Sequence, residues 1–223
     1  MKLSERTLEV LKNFSMINNG LVINEPNCIK TGTISNSTIG VFDCEETFDK
    51  EIGIYDLAGL LNAIQLLNPK EVELEIEDDK IILKNDKGKV KLVYRLTDTD
   101  IIKNPAKEKP SEKFKSFDKF TGWFELSEET LKQIKRMSKS MNFDMMEVSL
   151  KDGKGTLKLT NSNNPLSNSA EYEIDGEGDG YGKTYTDLIV IDGNYKIHIC
   201  EGMMFKFDHQ EIPLIYFIAM VNE

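Results

Sequence analysis

The sequence has few of the residues that build metal sites and disulfide frameworks. It contains three cysteines, Cys28, Cys44 and Cys200, at wide spacings and without a Cys-x-x-Cys pair. This odd, scattered set predicts reduced thiols and argues against both a disulfide framework and a cysteine-bound zinc ion. The two histidines, His198 and His209, stand alone in strand-like runs, so we predict structural or surface roles for them. We therefore expect no metal and no cofactor.

Long hydrophobic runs are also missing. The longest, residues 212–221, contains Pro213 and is about half the length of a membrane span, so it predicts a buried strand. Near the start, Glu5, Arg6 and Glu9 stand where a signal peptide needs unbroken apolar residues. With 39% hydrophobic residues, the 223-residue chain can bury the core of one large domain or two smaller ones. We expect a cytoplasmic protein with no membrane partner.

Positive charge is in deficit overall but is concentrated in one segment. The chain carries 38 acidic and 28 basic residues, yet residues 131–140, LKQIKRMSKS, hold four basic residues and no acid. On a helix, at about 100° per residue, the four basic side chains share a narrow arc opposite an apolar face. The apolar face consists of Leu131, Ile134, Met137 and Met141, and the basic arc consists of Lys132, Lys135, Arg136 and Lys139.

Two interpretations of this basic arc remain open. It can be a solvated helix face, with positive charge late in the helix where it suits the dipole. It can also contact phosphates, because four like charges on one face match the spaced charges of a nucleic-acid backbone. No acid lies three or four residues away inside the arc, so we expect no intrahelical ion pairs there.

The first predicted helix is less clearly basic. Its positive residues, Lys2, Arg6 and Lys12, share the polar side of the helix with Glu5 and Glu9. The net positive charge of this helix is too small for tight binding to a nucleic-acid duplex. It is compatible with loose contact to a backbone that is independent of base sequence.

The order helix then strands occurs twice along the chain. Ser4, Asp56 and Ser127 each precede a helical period and are predicted as N-caps, and alternating runs such as TIGVFD and KIILKN predict strands. Residues 98–122 hold six lysines and two prolines without a sustained period, which predicts a linker. We therefore predict an α+β protein of two similar domains, residues 1–97 and 123–223, with residues 98–122 as the connector.

The glycine-rich residues 175–182, DGEGDGYG, imitate two kinds of ligand loop. Glu177 and Asp179 would repel a phosphate, and Thr186 stands where a calcium loop needs a bidentate glutamate. We predict a flexible surface turn instead.

Carboxylates keep another class of function open. An acid–base pair could be drawn from Asp43, Glu45 and Glu46, or from Asp78 and Asp79. An enzyme with such a pair, or an acidic scaffold protein, is the alternative to a nucleic-acid partner.

Four stretches carry a resemblance to a known family: MKLSERTLEVLKNFSMINNGLVI, IYDLAGLLNAIQLLN, FELSEETLKQIKRMSKS and GNYKIHI. They resemble the DNA polymerase sliding clamps, in particular the trimeric clamps of T-even-like phages. The resemblance implies the DNA clamp fold and a closed ring of three subunits, with helices lining a hole that double-stranded DNA passes through. It implies a homotrimer that tethers the replicative DNA polymerase, is loaded by an ATP-driven clamp loader, and performs no catalysis of its own. The location would be the cytoplasm of an infected bacterial host.

The resemblance also implies roles for particular residues. The basic residues of the two helices would face DNA: Lys132, Lys135, Arg136, Lys139, Lys12, Lys2 and Arg6. A strand late in the first domain would pair with a strand of the next subunit through Lys89, Lys91, Leu92, Tyr94, Arg95, Glu171, Tyr172, Glu173, Ile174 and Asp175. Apolar residues of the connector, Ile101, Ile102, Phe114 and Phe117, would contact partner peptides or pin the connector to the sheets.

The sequence departs from the family pattern in one place. Clamp domains carry two helices each, but between TYTDLIVI and GNYKIHI only Asp192 remains. That leaves no room for a second helix in the second domain.

Overall fold

The computed structural model describes residues 1–70, 72–85, 89–164 and 168–221. The chain divides into two compact units, the first spanning Met1–Lys115 and the second beginning at Ser116. The division falls inside the predicted connector, residues 98–122. The last two residues of the predicted second domain, 222 and 223, lie outside the described residues.

Two helices of unit 1 form where the caps and apolar periods predict them. Helix α1 spans Glu5–Ile17 and α2 spans Leu57–Leu66. Ser4 Oγ accepts a hydrogen bond from Thr7 N, and the Asp56 carboxylate accepts one from Gly59 N. These caps satisfy amide groups that have no partner inside the helix. The buried faces hold Leu8, Val10, Leu11, Phe14, Leu57, Leu60, Leu61 and Ile64.

The strands of unit 1 form two antiparallel sheets. The first contains β1 (Leu21–Glu25), β2 (Cys28–Gly32), β3 (Thr38–Asp43) and β4 (Ile52–Ile54), in the order β3-β2-β1-β4. The second contains β5 (Val72–Ile76), β6 (Lys80–Asn85) and β7 (Lys91–Arg95) in sequence order. Because β6 lies in the middle, β7 is an edge strand of this sheet.

The connector is more ordered than a linker. Two 3₁₀ turns, Thr99–Ile101 and Pro105–Glu108, precede the short helix α3, Ser111–Lys115. Ala106 has no exposed surface, and Ile102 and Phe114 are buried as well. This part of the connector packs as part of unit 1 rather than spanning solvent.

Unit 2 places one long helix against one sheet. The helix α4 spans Glu128–Met141. The strands are β8 (Gly122–Leu126), β9 (Met145–Lys151), β10 (Lys154–Thr160), β11 (Ala170–Gly178), β12 (Gly180–Tyr185), β13 (Tyr195–Cys200), β14 (Met204–His209) and β15 (Leu214–Ala219). Their order in the sheet is β12-β9-β10-β11-β8-β13-β14-β15, and every pair is antiparallel.

Residues 186–194, all of them described, contain neither a helix nor a strand. The missing second helix of the second domain is therefore confirmed, and the apolar run DLIVI forms no strand. The prediction of a buried strand in residues 212–221 is confirmed by β15. Within the described ranges, no helix is long and apolar enough to cross a membrane.

The prediction of a flexible turn at residues 175–182 is wrong. Strand β11 pairs with β10 up to Asp175 and then crosses to pair with β8 through residues 176–178. At Gly176 a Cβ atom would lie 1.8 Å from the carbonyl oxygen of Trp123, and Gly178 has a φ of +75°. Gly176 allows the backbones of β8 and β11 to approach closely, and Gly178 allows the positive φ at the end of β11.

Candidate nucleic-acid and subunit interfaces

Helix α4 presents the four basic side chains that we call the basic ridge: Lys132, Lys135, Arg136 and Lys139. Ser127 Oγ caps the helix by accepting from Thr130 N, and Asn142, with a φ of +54°, ends it in the left-handed region. Leu131 and Ile134 have no exposed surface, so the opposite face is fixed in the core of unit 2. The ridge consequently points away from that core.

Two members of the basic ridge already have acidic partners. Lys132 pairs with Glu128 one turn earlier, and this hydrogen bond raises the pKa of Lys132. The Lys135 Nζ atom lies 2.7 Å from both Asp192 Oδ1 and the carbonyl oxygen of Val190. The expectation of no intrahelical ion pairs is therefore wrong. Glu128 lies in the first turn of α4, just before residues 131–140, and is close enough to pair with Lys132.

Arg136 and Lys139 are exposed and have no ion-pair partner among the residues that the structure describes. They can meet a phosphate without breaking an existing ion pair. Lys132 and Lys135 can do so only by exchanging a carboxylate for a phosphate. The half of the ridge nearer the helix C-terminus therefore carries its accessible charge.

The positive residues of α1 are spread along an exposed face. Arg6 lies 3.5 Å from Glu45, with both side chains largely in water, so this pair contributes little to stability. Lys2 and Lys12 are exposed, and across the described chain Lys12 has no ion-pair partner. Glu5 is paired with Lys70 at 2.9 Å, which partly cancels the acidic charge of this face.

A groove of about 710 Å³ separates α1 from the end of α2. Leu8, Leu61 and Ile64 line it, and Lys2, Lys12 and Lys70 stand around it. Sequence reasoning missed Lys70 because it follows α2 in a loop, outside any helical period. Only the packing of the two helices brings it beside Glu5.

Strand β7 presents an open edge with the predicted alternation. Lys91, Val93 and Arg95 are exposed, while Leu92 and Tyr94 are half-buried. The Tyr94 hydroxyl donates to the carbonyl oxygen of Asp56 at 2.7 Å, and burial raises the pKa of Tyr94. Sequence reasoning missed Val93, which is 45% exposed between two cations and adds apolar surface to the edge.

Strand β11 provides the second open edge, in addition to that of β7. Residues 170–175 bond to β10 on one side, and β8 takes only residues 176–178 on the other. In the described part of unit 2, no strand bonds to the free side of residues 170–175. Glu171, Glu173 and Asp175 are exposed there, and Asp175 is paired with Lys154 at 2.5 Å.

The apolar residues of β11 differ from the prediction. Ile174 is 5% exposed within unit 2, so its side chain is not available to a neighbouring subunit. Tyr172 is half-buried, and its hydroxyl lies 3.8 Å from Met137 Sδ of α4. Tyr172 therefore contacts α4, and Ile174 belongs to the buried core.

The four connector residues fall into two groups. Ile102 and Phe114 are 3% and 8% exposed, so the prediction that they contact a partner is wrong and their role is to pin the connector to unit 1. Ile101 is 60% exposed. Phe117 is half-buried and packs edge-to-face on Phe120 at 5.3 Å. Only the second group can reach a partner.

The five carboxylates that could supply an acid–base pair each have a hydrogen-bond or ion-pair partner. Glu46 accepts from Ser4 N and from Thr7 Oγ1 at the start of α1, and Asp43 pairs with Lys115 at 2.7 Å. Three further acids are paired with basic side chains: Glu45 with Arg6, Asp78 with Lys50, and Asp79 with Arg95. Because all five carboxylates already bind other groups of the protein, they give no support to the alternative of an enzyme with an acid–base pair.

Comparisons with known proteins agree with this architecture. Residues 2–102 match the family model of the DNA polymerase processivity factor. The chain is 29% identical to the sliding clamp of Vibrio phage KVP40 over 98% of each chain, and 27% identical to that of Enterobacteria phage T4 over 88% of this chain and 86% of the phage protein. The clamp of Escherichia phage RB69 is 26% identical over 99% of this chain and 96% of its own.

Solved structures match the fold at lower identity. The PCNA of A. fulgidus, solved with the C-terminal region of FEN-1, superposes with a TM-score of 0.74 at 15% identity, covering 100% of this chain and 97% of that one. The PCNA of Entamoeba histolytica gives a TM-score of 0.70 at 13% identity over 96% and 94% of the two chains. The fold is therefore that of the sliding clamps. Over nearly its whole length the chain is also similar in sequence to the sliding clamps of phages.

Proposed function

We propose that three copies of this chain close into a ring around double-stranded DNA and tether a replicative DNA polymerase to its template. A separate clamp loader opens and closes the ring, in the cytoplasm of an infected bacterial host. The chain itself performs no catalysis. The basic ridge is the observation that carries the proposal: a protein of net charge −10 holds exposed Arg136 and Lys139 on a helix whose other face is buried.

Contact with DNA in this proposal is electrostatic and independent of base sequence. Arg136 and Lys139 would contact phosphates directly, and Lys132 and Lys135 would add charge when they exchange carboxylate for phosphate. Lys2, just before α1, and Arg6 and Lys12 on α1 would add a weaker contribution because Glu5 and Glu9 lie beside them. Since a ring retains DNA by enclosing it, weak contacts suffice and permit sliding.

The ring would close through the two open strand edges. Residues 89–95 present Lys89, Lys91 and Arg95, and residues 170–175 present Glu171, Glu173 and Asp175. An antiparallel pair between these edges of neighbouring subunits would satisfy their free backbone groups and match opposite charges. Such a head-to-tail contact repeats around a closed ring. Leu92, Val93 and Tyr94 would supply apolar surface, with a smaller share from Tyr172.

The polymerase and the clamp loader would contact the connector. Of the four connector residues named above, Ile101 is the most exposed and Phe117 is the other accessible one. Exposed apolar residues within a solvated segment are typical of partner contacts. The buried Ile102 and Phe114 would anchor the backbone of the connector that carries Ile101 and Phe117.

Solution mass tests the assembly on which this function depends. Sedimentation of the purified protein at micromolar concentration should give about three times the chain mass of 25.4 kDa. A monomer or dimer at every concentration tested would contradict the ring.

A further inference from the structure

The connector is fastened to the sheet of unit 1 by an ion pair whose lysine is buried. Lys30 of β2 is 1% exposed, and its Nζ atom lies 2.5 Å from Glu25 Oε1 of β1. The same Nζ donates to the carbonyl oxygen of Lys109 at 2.6 Å, and the same Oε1 accepts from Ser111 N at 2.9 Å. Both charged groups therefore bind the connector backbone as well as each other.

Three asparagines extend this attachment along residues 102–111, which we call the strap. Asn18 Nδ2 donates to the carbonyl oxygen of Lys103 at 2.8 Å, and Asn24 Nδ2 donates to that of Lys107 at 3.0 Å. Within the strap, Asn104 Nδ2 donates back to the carbonyl oxygen of Lys30 at 3.1 Å. Side chains thus take the place of a neighbouring strand in satisfying the strap backbone.

A buried lysine needs a reason, because removing an ammonium group from water is costly unless its hydrogen bonds are replaced. An apolar residue at position 30 would fill the same space in β2. What Lys30 adds is a donor that reaches the strap. Burial opposes ionisation of Glu25, but hydrogen bonds from Lys30 and Ser111 outweigh it and lower the pKa of Glu25. Glu25 is therefore ionised at neutral pH.

We propose that Lys30 and Glu25 are positioning residues that hold the strap in a fixed conformation, so that the connector meets its partners as a preformed surface. The proposal deepens the function proposed above, because Ile101 and the exposed Lys103 and Lys109 lie at or beside the strap. A surface ordered in advance loses less conformational entropy when a partner binds. In this chain the ordering comes from two sheet residues whose charged groups bind the strap backbone directly.

The test measures the strap in the free protein, without DNA or polymerase, so its outcome is independent of the proposed function. Lys30→Met keeps the buried side-chain volume and removes the donor to Lys109. We expect amide hydrogen exchange across the strap, and tryptic cleavage after Lys103 and Lys107, to become about tenfold faster. Exchange in β2 itself and in unit 2 should stay unchanged.

Thr7→Val is the matched control. It removes another buried hydrogen bond to a carboxylate in unit 1, the 2.6 Å bond from Thr7 Oγ1 to Glu46, at a site away from the strap. It should leave strap exchange unaltered at an equal loss of thermal stability. If Lys30→Met fails to fold, the double variant Lys30→Met and Glu25→Leu removes both charges and gives the same readout. Strap exchange equal to wild type in a folded variant, or equally fast in the control, would overturn the proposal.

Discussion

The ammonium group of Lys135 is bound by Asp192, 57 residues later in the chain, with 2.7 Å between Nζ and Oδ1. This ion pair ties α4 to the loop before β13. It also divides the basic ridge into a paired half, Lys132 and Lys135, and an unpaired half, Arg136 and Lys139. The two halves should behave differently towards DNA.

The unpaired half should carry most of the salt dependence of DNA binding. Replacing Arg136 and Lys139 by Ala should reduce the slope of log affinity against log salt by about 2, since each lost phosphate contact contributes about 0.9. Replacing Lys132 and Lys135 by Ala should reduce it by less, because each contact there first costs an ion pair. Equal slopes for the two double variants would contradict this division.

Reversing the whole ridge should abolish processive synthesis. With all four residues changed to Glu, the fold and the trimer should persist at a reduced stability, because the ridge side chains lie outside the core although Lys135 loses its contacts with Val190 and Asp192. Negative charge would then face the duplex. Primer extension at moderate salt measures the effect, and unchanged product length would remove the ridge from the DNA-facing surface.

The seam should respond to charge reversal and to its compensation. Lys89→Glu with Lys91→Glu should weaken the trimer, and adding Glu171→Lys with Glu173→Lys should partly restore it, because complementarity returns with opposite sign. These four residues are chosen since Arg95 and Asp175 already have partners inside the subunit. Lys50→Glu serves as the control for loss of a surface cation. A trimer of unchanged dissociation constant in the first variant would place the seam elsewhere.

The crossing of β11 onto β8 should tolerate no side chain at Gly176. Gly176→Ala places a Cβ against the Trp123 carbonyl, and we expect a loss of about 3 kcal/mol of unfolding free energy. Gly202→Ala is the matched control, with a φ of +71° but nothing within 4 Å of the added carbon. It should cost about 1 kcal/mol from backbone conformation alone. Denaturant unfolding measures both variants, and a similar loss in the two would disprove the close approach.

The Asp56 cap of α2 should make stability depend on pH. Hydrogen bonds from Gly59 N and Asn19 lower the pKa of Asp56 below its ordinary value. Its contribution is therefore present above the unfolded pKa of about 3.9 and is lost as pH falls through the lower folded pKa. Asp56→Ala should cost about 1 kcal/mol at pH 7. The gap from wild type should narrow between pH 4 and pH 2 in denaturant titrations, and a gap independent of pH would contradict the ionised cap.

Local patterns predicted the helices well because caps and apolar periods act within one turn. Ser4, Asp56 and Ser127 cap the helices they were expected to cap, and the alternation of β7 matches its exposure. The α+β class was predicted in the same way, from the order of a helix followed by strands that occurs twice along the chain.

Long-range contacts could not be predicted from those patterns. Lys135 meets Asp192, and Ile102 is buried while its neighbour Ile101 is exposed, only because the fold brings distant segments together. Glycines in DGEGDGYG looked like a turn, since sequence does not show that another strand approaches them. The strap was missed for the same reason, because its anchors, Asn24 and Lys30, lie more than 70 residues before it.

Retention on DNA of different topology tests the central claim most directly. The protein is loaded onto nicked circular DNA with its own clamp loader and ATP, and the complex is separated from free protein by gel filtration. A ring that encloses the duplex should remain on the circle at moderate salt and should be lost after a single cut makes the DNA linear. Equal retention on circular and linear DNA would show that direct binding, and not encirclement, holds the protein there.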